Sequence, residues 1–337
     1  MSCQAAQPRG YSVRSAGESL CRIWPRVPLC GEPNQESLRS PALAMEGMPY
    51  EIISEFVSYL DSRSLLNLAL TASRFTHVCL SEASRHLCVL DTRSALIGLA
   101  HHIKQTSPPT RALTVYHGEW PKCNYKEWEL HPLQVYEAHP VVLQSLSKKE
   151  KALQAFRRYG HFVAEEESRG RDDDIRRLNQ ILSSLPQLQR ITISHICSHG
   201  WKPKKNAQVT RLCQQIWISP CRRDSVDRLV GDFLIVLPNY GRVQDLKIKG
   251  KLNLESIGPL YTALCSVTKL DIKSLNIANT TTAIFNSFLS LFPALQNLQI
   301  NFCRHDPLTV IPLDHVHCPE LRSVSLANLR VAVLALV

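Results

Sequence analysis

Histidine and cysteine residues lie close together at two places in the chain, and such residues first suggest metal binding. The first cluster is His195, Cys197, His199, Cys213 and Cys221, and the second is Cys303, His305, Asp314, His315, His317 and Cys318. Tetrahedral zinc sites usually pair their ligands at Cys-x2–4-Cys or His-x3–5-His spacing. In the first cluster a single residue separates His195 from Cys197 and Cys197 from His199, so these three side chains lie on one side only if the chain is extended. We therefore expect no metal site and no cofactor.

Residue patterns that support catalysis are scarce. The sequence contains no G-x-S-x-G nucleophile motif, and its 13 glycines do not cluster into a phosphate-binding loop. Carboxylates occur mainly as residues 165–167 and 172–174, among Arg169, Arg171, Arg176 and Arg177. A charge run of this kind is typical of a solvated helix face. We expect that the protein is not an enzyme. The alternative, a metal-dependent enzyme, predicts stoichiometric zinc in the purified protein.

The net charge of +10 is concentrated in residues 200–250, which carry six of the excess positive charges. Arginine suits phosphate, so a basic patch here could recognise an acidic or phosphorylated partner, although an exposed solubilising loop explains it as well. The candidate residues are Lys202, Lys204, Lys205, Arg211, Arg222 and Arg223. A nucleic-acid binder would need a broader basic face with stacking aromatics, so nucleic acid is not the expected partner.

Composition sets the class and the compartment. The chain has 337 residues, 44% hydrophobic and 20% charged, which is ordinary for a folded protein. Its longest apolar run, residues 331–337, is far shorter than the ~20 residues of a membrane span. Twelve cysteines without a recognisable secretory signal indicate reduced thiols. We expect a cytoplasmic or nuclear protein without a membrane segment.

The elements that would position any binding residue begin after a proline-rich stretch, residues 1–44, which we expect to be a disordered extension. From Met48 to about Cys88 the apolar spacing predicts three short helices. Eighteen of the 33 residues from Met48 to Leu80 are apolar. Three short helices cannot bury so many side chains among themselves, so part of this surface must contact the next domain or a partner.

The order of residues in this segment resembles the F-box. The three pieces are Met48-Pro49-x-Glu51-Ile52-Ile53, Tyr59-Leu60-Asp61-x-x-Ser64-Leu65-Leu66-x-Leu68 and Ala72-Ser73-Arg74-Phe75. The residue sequence is similar to that of F-box proteins of filamentous fungi. In these proteins three helices dock a substrate receptor onto the Skp-family adaptor of a cullin–RING ubiquitin ligase. The resemblance implies adaptor binding by Pro49, Ile52, Ile53, Leu60, Leu65, Leu66, Leu68 and Phe75.

A second pattern, apolar-x-x-apolar-x-apolar, returns six times after residue 186. It occurs as Leu188-Ile191-Ile193, Cys213-Ile216-Ile218, Val243-Leu246-Ile248, Val267-Leu270-Ile272, Leu295-Leu298-Ile300 and Leu321-Val324-Leu326. The spacing resembles the longer, helix-bearing leucine-rich repeat. We therefore predict an α/β (α+β) fold, with an F-box-like three-helix module at 45–90, a linking region with possible first repeats at 91–171 and an irregular leucine-rich-repeat solenoid at 172–337.

Together these patterns predict an intracellular substrate receptor that acts by protein–protein interaction. The three helices would bind the Skp-family adaptor of an SCF (Skp–cullin–F-box) ubiquitin ligase complex, and the repeats would present an unknown protein substrate. The alternative is a leucine-rich-repeat scaffold without a ligase role, whose helices merely cap the repeats.

Overall fold

Seven parallel strands form one sheet in this computed structural model, and they follow one another across the sheet in chain order. They are β1 (His86–Leu90), β2 (Ala112–His117), β3 (Arg190–His195), β4 (Asp245–Asn253), β5 (Lys269–Asn276), β6 (Asn297–Phe302) and β7 (Ser323–Ala327). The structure describes residues 49–60, 62–71, 73–130, 148–196, 207–218, 220, 225–258, 262–276, 280–303 and 318–328. The described residues belong to one compact unit.

Ten α-helices lie before and between the strands in the described part of the chain. Three precede β1: α1 (Tyr50–Ser58), α2 (Ser62–Thr71) and α3 (Ser73–Ser84). The others are α4 (Arg93–Thr106), α5 (Tyr125–Leu130), α6 (Lys148–Glu167), α7 (Arg171–Ser183), α8 (Ala207–Ile216), α9 (Asp227–Val236) and α10 (Thr282–Ser290). Two 3₁₀ turns, Leu237–Asn239 and Leu254–Ile257, flank β4. None of the described helices has the length and apolar character to cross a membrane.

The main core lies between one face of the sheet and the helices that follow the strands. Alternate residues of each strand point to this face, because side chains alternate along a β-strand. The paired registers place Val115, Ile193, Ile248, Ile272 and Ile300 in one continuous buried row. Apolar side chains of α4, α7, α9 and α10 pack against that row. The other face of the sheet carries mostly polar side chains. At its β1 edge Leu90 packs against Val209 and Cys213 of α8, and we call the rest of this face, from β3 to β7, the open face.

Hydrogen bonds at the start of the strands fix their alignment. The backbone N–H of Gln189 donates to the carbonyl of Arg111, that of Gln244 to Gln189, and that of Thr268 to Gln244. The same bond continues from Gln296 to Thr268. Each strand therefore begins level with its predecessor, so side chains at equal positions form rows across the sheet.

The predicted fold class is wrong. The structure is not a three-helix module followed by an irregular leucine-rich-repeat solenoid at 172–337, but an α/β fold with one all-parallel sheet whose first strands lie at 86–90 and 112–117. The strands are also unequally spaced, since Leu113, Ile191 and Leu246 occupy the same row at separations of 78 and 55 residues. The short-repeat interpretation does not accommodate the helices of these long connections.

The Cys213-Ile216-Ile218 triplet shows how the repeat pattern misled. Five triplets coincide with β3 to β7, but Cys213 and Ile216 lie in α8. The first two residues of each triplet are three positions apart, and residues at that spacing also share one face of a helix. The pattern therefore does not distinguish a strand from a helix. The proposed extension at 1–44 lies outside the described residues, and the other domain limits stay predictions.

Candidate docking surface

Helix α1 has two apolar faces, and only one of them is buried. Ile53 and Val57 lie four residues apart and are buried. Ile52, Phe56 and Tyr59 are separated by four and three residues, the spacing of a single helix face. Their exposed fractions are 50%, 45% and 81%. We call Ile52, Phe56 and Tyr59 the apolar face of α1.

Local hydrogen bonds set the position of α1. Pro49 precedes the first helical turn in an extended conformation, and its carbonyl accepts from the backbone N–H of Ile53 at 3.2 Å. Proline at a helix start loses no hydrogen bond, because the first N–H groups of a helix have no partner within it. The N–H groups of Tyr59 and Leu60 close the last turn on Phe56 and Val57.

Helices α2 and α3 supply the buried side of the three-helix segment, which is α1 to α3. Its buried side chains from these helices are Leu65, Ala69, Phe75, Val78 and Cys79. The hydroxyl of Thr76 in α3 donates to the carbonyl of Ala69 in α2 at 2.8 Å. The end of α3 is attached to the sheet, because the hydroxyl of Thr110 donates to the carbonyl of Ser84. Leu70 and Leu80 remain exposed.

The eight residues predicted to bind an adaptor occupy different environments. Pro49 and Ile52 are exposed, and Leu60 and Leu68 are half-buried. Ile53, Leu65 and Phe75 are buried in the three-helix segment, where they hold the helices together. The side chain of Leu66 lies outside the described part of the structure. The adaptor contact of each residue stays a prediction.

Sequence reasoning left Phe56 and Tyr59 out of the predicted site. Both are apolar, exposed and on the same face of α1 as Ile52. Their spacing from Ile52 was a usable signal, since positions i, i+4 and i+7 share a helix face. The sequence alone could not show which of the two apolar faces of α1 is covered.

A second cluster of interest contains buried charges at the ends of β1 and β2. Asp91 follows β1, and its Oδ2 lies 2.6 Å from Nδ1 of His117, the last residue of β2. The guanidinium of Arg169 donates to both the carboxylate and the carbonyl of Asp91. Burial alone would raise the pKa of Asp91, but the bond from His117 and the charge of Arg169 outweigh it and hold that pKa well below its usual range.

Arg169 connects this pair to the following helix. Its Nε donates to Oδ1 of Asp174 in α7 at 2.7 Å, and Nη2 of Arg228 in α9 donates to Oδ2 of the same carboxylate. Burial opposes the charge of Arg169, yet Asp91 and Asp174 raise its pKa further above the usual range. The expectation that this charge run is a solvated helix face is wrong for Asp174, which is buried.

Further contacts show that the cluster joins helices to strand ends. The backbone N–H of Arg93, at the start of α4, donates to Oε1 of Glu166 at 2.7 Å, and burial raises the pKa of Glu166. In α9, Asp232 accepts from Arg171, and burial raises the pKa of Asp232 as well. Because Arg169 compensates Asp91, we interpret the arrangement as a structural ion-pair network rather than an acid–base pair.

The other sequence-predicted sites are only partly described. Arg211 is exposed on α8, whereas Lys202, Lys204, Lys205, Arg222 and Arg223 lie outside the described residues. His195 ends β3 and Cys213 lies in α8, both buried. In the described ranges, no group of three His, Cys, Asp or Glu side chains is arranged to hold a metal ion.

Comparisons with known proteins add no relative. Neither a protein-family model nor a curated protein matches this chain. The F-box resemblance therefore rests on the residues between Met48 and Phe75 alone.

Proposed function

We propose that the protein is the substrate-recognition subunit of an SCF-type ubiquitin ligase, with the three-helix segment binding the Skp-family adaptor. The apolar face of α1 is the observation that carries this proposal. Fully burying one exposed large apolar side chain contributes about 1.5–3 kcal/mol, so burying the exposed parts of three adjacent ones favours association. A helix presenting residues at i, i+4 and i+7 is also a common form of protein recognition.

The mechanism requires the chain to hold a substrate, not to perform chemistry. The three-helix segment is joined to the sheet through the Thr110–Ser84 hydrogen bond, and the backbone N–H of Arg111 donates to Arg85 directly after α3. A protein bound to the sheet would be tethered to the adaptor and, through it, to a cullin–RING ligase. Tethering raises the effective concentration of the substrate near the ubiquitin carrier. This role is non-enzymatic, needs no cofactor and belongs to the cytoplasm or nucleus.

The experiment is co-purification of the full chain with a Skp-family adaptor. The Ile52→Glu/Phe56→Glu variant places two charges on the apolar face of α1, and we expect it to lose adaptor binding while remaining folded. The matched control, Ile97→Glu/Leu153→Glu, alters two similarly exposed apolar residues on α4 and α6. It should bind as the wild type does.

Two results would overturn the proposal. The first is absence of adaptor binding by well-folded wild-type protein, which would leave an interaction scaffold without a ligase role. The second is equal binding by the Ile52→Glu/Phe56→Glu variant, which would show that the adaptor contacts another surface. Circular dichroism melting of all three proteins separates loss of binding from loss of folding.

A further inference from the structure

The open face of the sheet carries a concentration of positive charge on its three middle strands. Side chains on this face alternate with the buried row and therefore form their own rows. The cationic members are Arg190 on β3, Lys247, Lys249 and Lys251 on β4, and Lys269 and Lys273 on β5. Only two carboxylates, Asp245 and Asp271, lie on the same strands of this face. Six cations against two anions leave a net charge of +4.

The two carboxylates are already engaged. Oδ2 of Asp245 accepts from Nε of Arg190 at 2.7 Å and lies 3.9 Å from Nζ of Lys247. Oδ1 of Asp271 lies 3.0 Å from Nζ of Lys273. In the described part of the chain, Lys249, Lys251 and Lys269 have no carboxylate within 4.0 Å, so their charges are available to a ligand.

Two of these cations lie against the sheet, whereas Arg190, Lys251 and Lys269 are exposed to solvent. The side chains of Lys247 and Lys273 are only 26% and 28% exposed. Positive potential also reaches the edge of the sheet: burial lowers the pKa of His86 on β1, and the charges of Arg190 and Lys249 lower it further. Lys249 belongs to the fourth strand, so its field covers several strands of this face.

The neighbouring strands provide hydrogen-bonding groups instead of charge. Asn297, Gln299 and Asn301 on β6 and Ser323 and Ser325 on β7 continue the same rows. Amide and hydroxyl groups can bond the backbone of an extended peptide. Among the described residues, the helices contacting β4 and β5 lie on the opposite, apolar face.

We infer that the open face of β3 to β5 binds an acidic segment of a partner protein, with Lys249, Lys251 and Lys269 pairing with its carboxylates. A peptide fits better than a nucleic acid, because no aromatic side chain for base stacking lies on these three strands of the open face. The binding itself does not depend on the adaptor. That the bound segment belongs to a ligase substrate rests on the proposed function.

The test measures fluorescence anisotropy of a fluorescein-labelled alternating Glu-Ser peptide with the full-length protein. A Gln-Ser peptide of the same length controls for charge. Complementary surface charges contribute modestly per pair, so we expect Lys249→Glu/Lys269→Glu to weaken binding by about tenfold or more. The matched control, Lys104→Glu/Lys126→Glu, makes the same charge change at exposed lysines of α4 and α5 and should bind nearly as tightly as the wild type.

Three outcomes would overturn the inference. They are no preference for the Glu-Ser over the Gln-Ser peptide, equal weakening by both double variants, and tighter binding of a single-stranded oligonucleotide than of the Glu-Ser peptide. Adaptor co-purification of the same variants keeps the two proposals separate. Lys249→Glu/Lys269→Glu should retain the adaptor, whereas Ile52→Glu/Phe56→Glu should retain the acidic peptide.

Discussion

In the three-helix segment, large apolar side chains are divided between a buried side and the exposed face of α1, whereas in the sheet the apolar rows of β2 to β6 are covered by helices. Ile53 and Ile52 are adjacent in the chain, yet one is buried and the other half exposed. Ile193 and Ile248 are both fully buried. The comparison shows that apolar side chains stabilise the sheet by being buried, whereas those on the apolar face of α1 stay exposed and can contact another protein.

The largest expected effect lies in the sheet core. Phe233 of α9 is fully buried in that core, and Phe233→Ala should reduce the free energy of unfolding by about 3–5 kcal/mol because it leaves a cavity. Denaturant unfolding followed by circular dichroism measures this. Leu70→Ala, at an exposed position in α2, is the control and should be close to neutral. A small loss at Phe233 would contradict the assignment of α9 to the core.

Breaking the ion-pair network should come next. Arg169→Met leaves Asp91 and Asp174 buried with less compensation, and a broken buried pair costs about 3–5 kcal/mol. Arg176→Met, at an exposed arginine of α7, should cost little. Since the partners form one network, the Asp91→Asn/Arg169→Met double variant should lose less than the sum of its single variants. Additive losses would contradict the network.

The same network predicts a pH dependence. The folded-state pKa of Asp91 is lowered, so its contribution is present above the unfolded pKa, about 3.9, and is lost as pH falls through the folded pKa. Unfolding free energy should therefore decline on acidification below about pH 4. Denaturant titrations at several pH values should show a shallower decline in Arg169→Met, and identical slopes would argue against the role of Arg169.

A smaller loss of stability is expected at the N-terminus of α10, one of the helices that cover the sheet. The hydroxyl of Thr281 accepts from the backbone N–H of Ile284 and caps α10. Thr281→Ala should cost about 1 kcal/mol, and Thr281→Ser should restore most of it. Thermal unfolding of the two variants tests the cap, and equal melting temperatures would contradict it.

The smallest stability effect should lie on the apolar face of α1. Ile52→Ala and Phe56→Ala remove exposed side chains, so each should change the free energy of unfolding by no more than ~0.5 kcal/mol. Their combination should nevertheless weaken adaptor binding, measured by titration calorimetry. A large loss of stability would mean that this face packs within the chain, and the contrast between the two regions would disappear.

Sequence patterns predicted some strands well, because regular alternation carries its own signal. The triplets around Leu246 and Leu298 lie on strands in which buried residues alternate with more exposed ones. Strand β1 was missed because His86–Leu90 directly follows the apolar spacing of α3 and continues it. On α1, the spacing of Ile52, Phe56 and Tyr59 can be read from the sequence. Which face of the helix stays exposed depends on how α1 packs against the rest of the chain.

The buried network was beyond sequence reasoning for a different reason. Asp91 and Arg169 are 78 residues apart in the chain, and Asp174 accepts a hydrogen bond from Arg228, which is 54 residues away. A local charge run shows only the nearest possible partners, so it suggests a solvated surface. Burial and pairing arise when the sheet brings the ends of β1 and β2 together with α6 and α7.

The chain-ordered sheet has a consequence for how the molecule opens. Among the described residues, each strand bonds only to its neighbours in sequence, and β7 bonds to β6 alone, with Val324 about half exposed. Opening β7 therefore disrupts one ladder and leaves the β4–β5 pairing intact. Amide hydrogens of Ser323–Ala327 should exchange with solvent well before those of the central strands, so fraying proceeds inward from this edge.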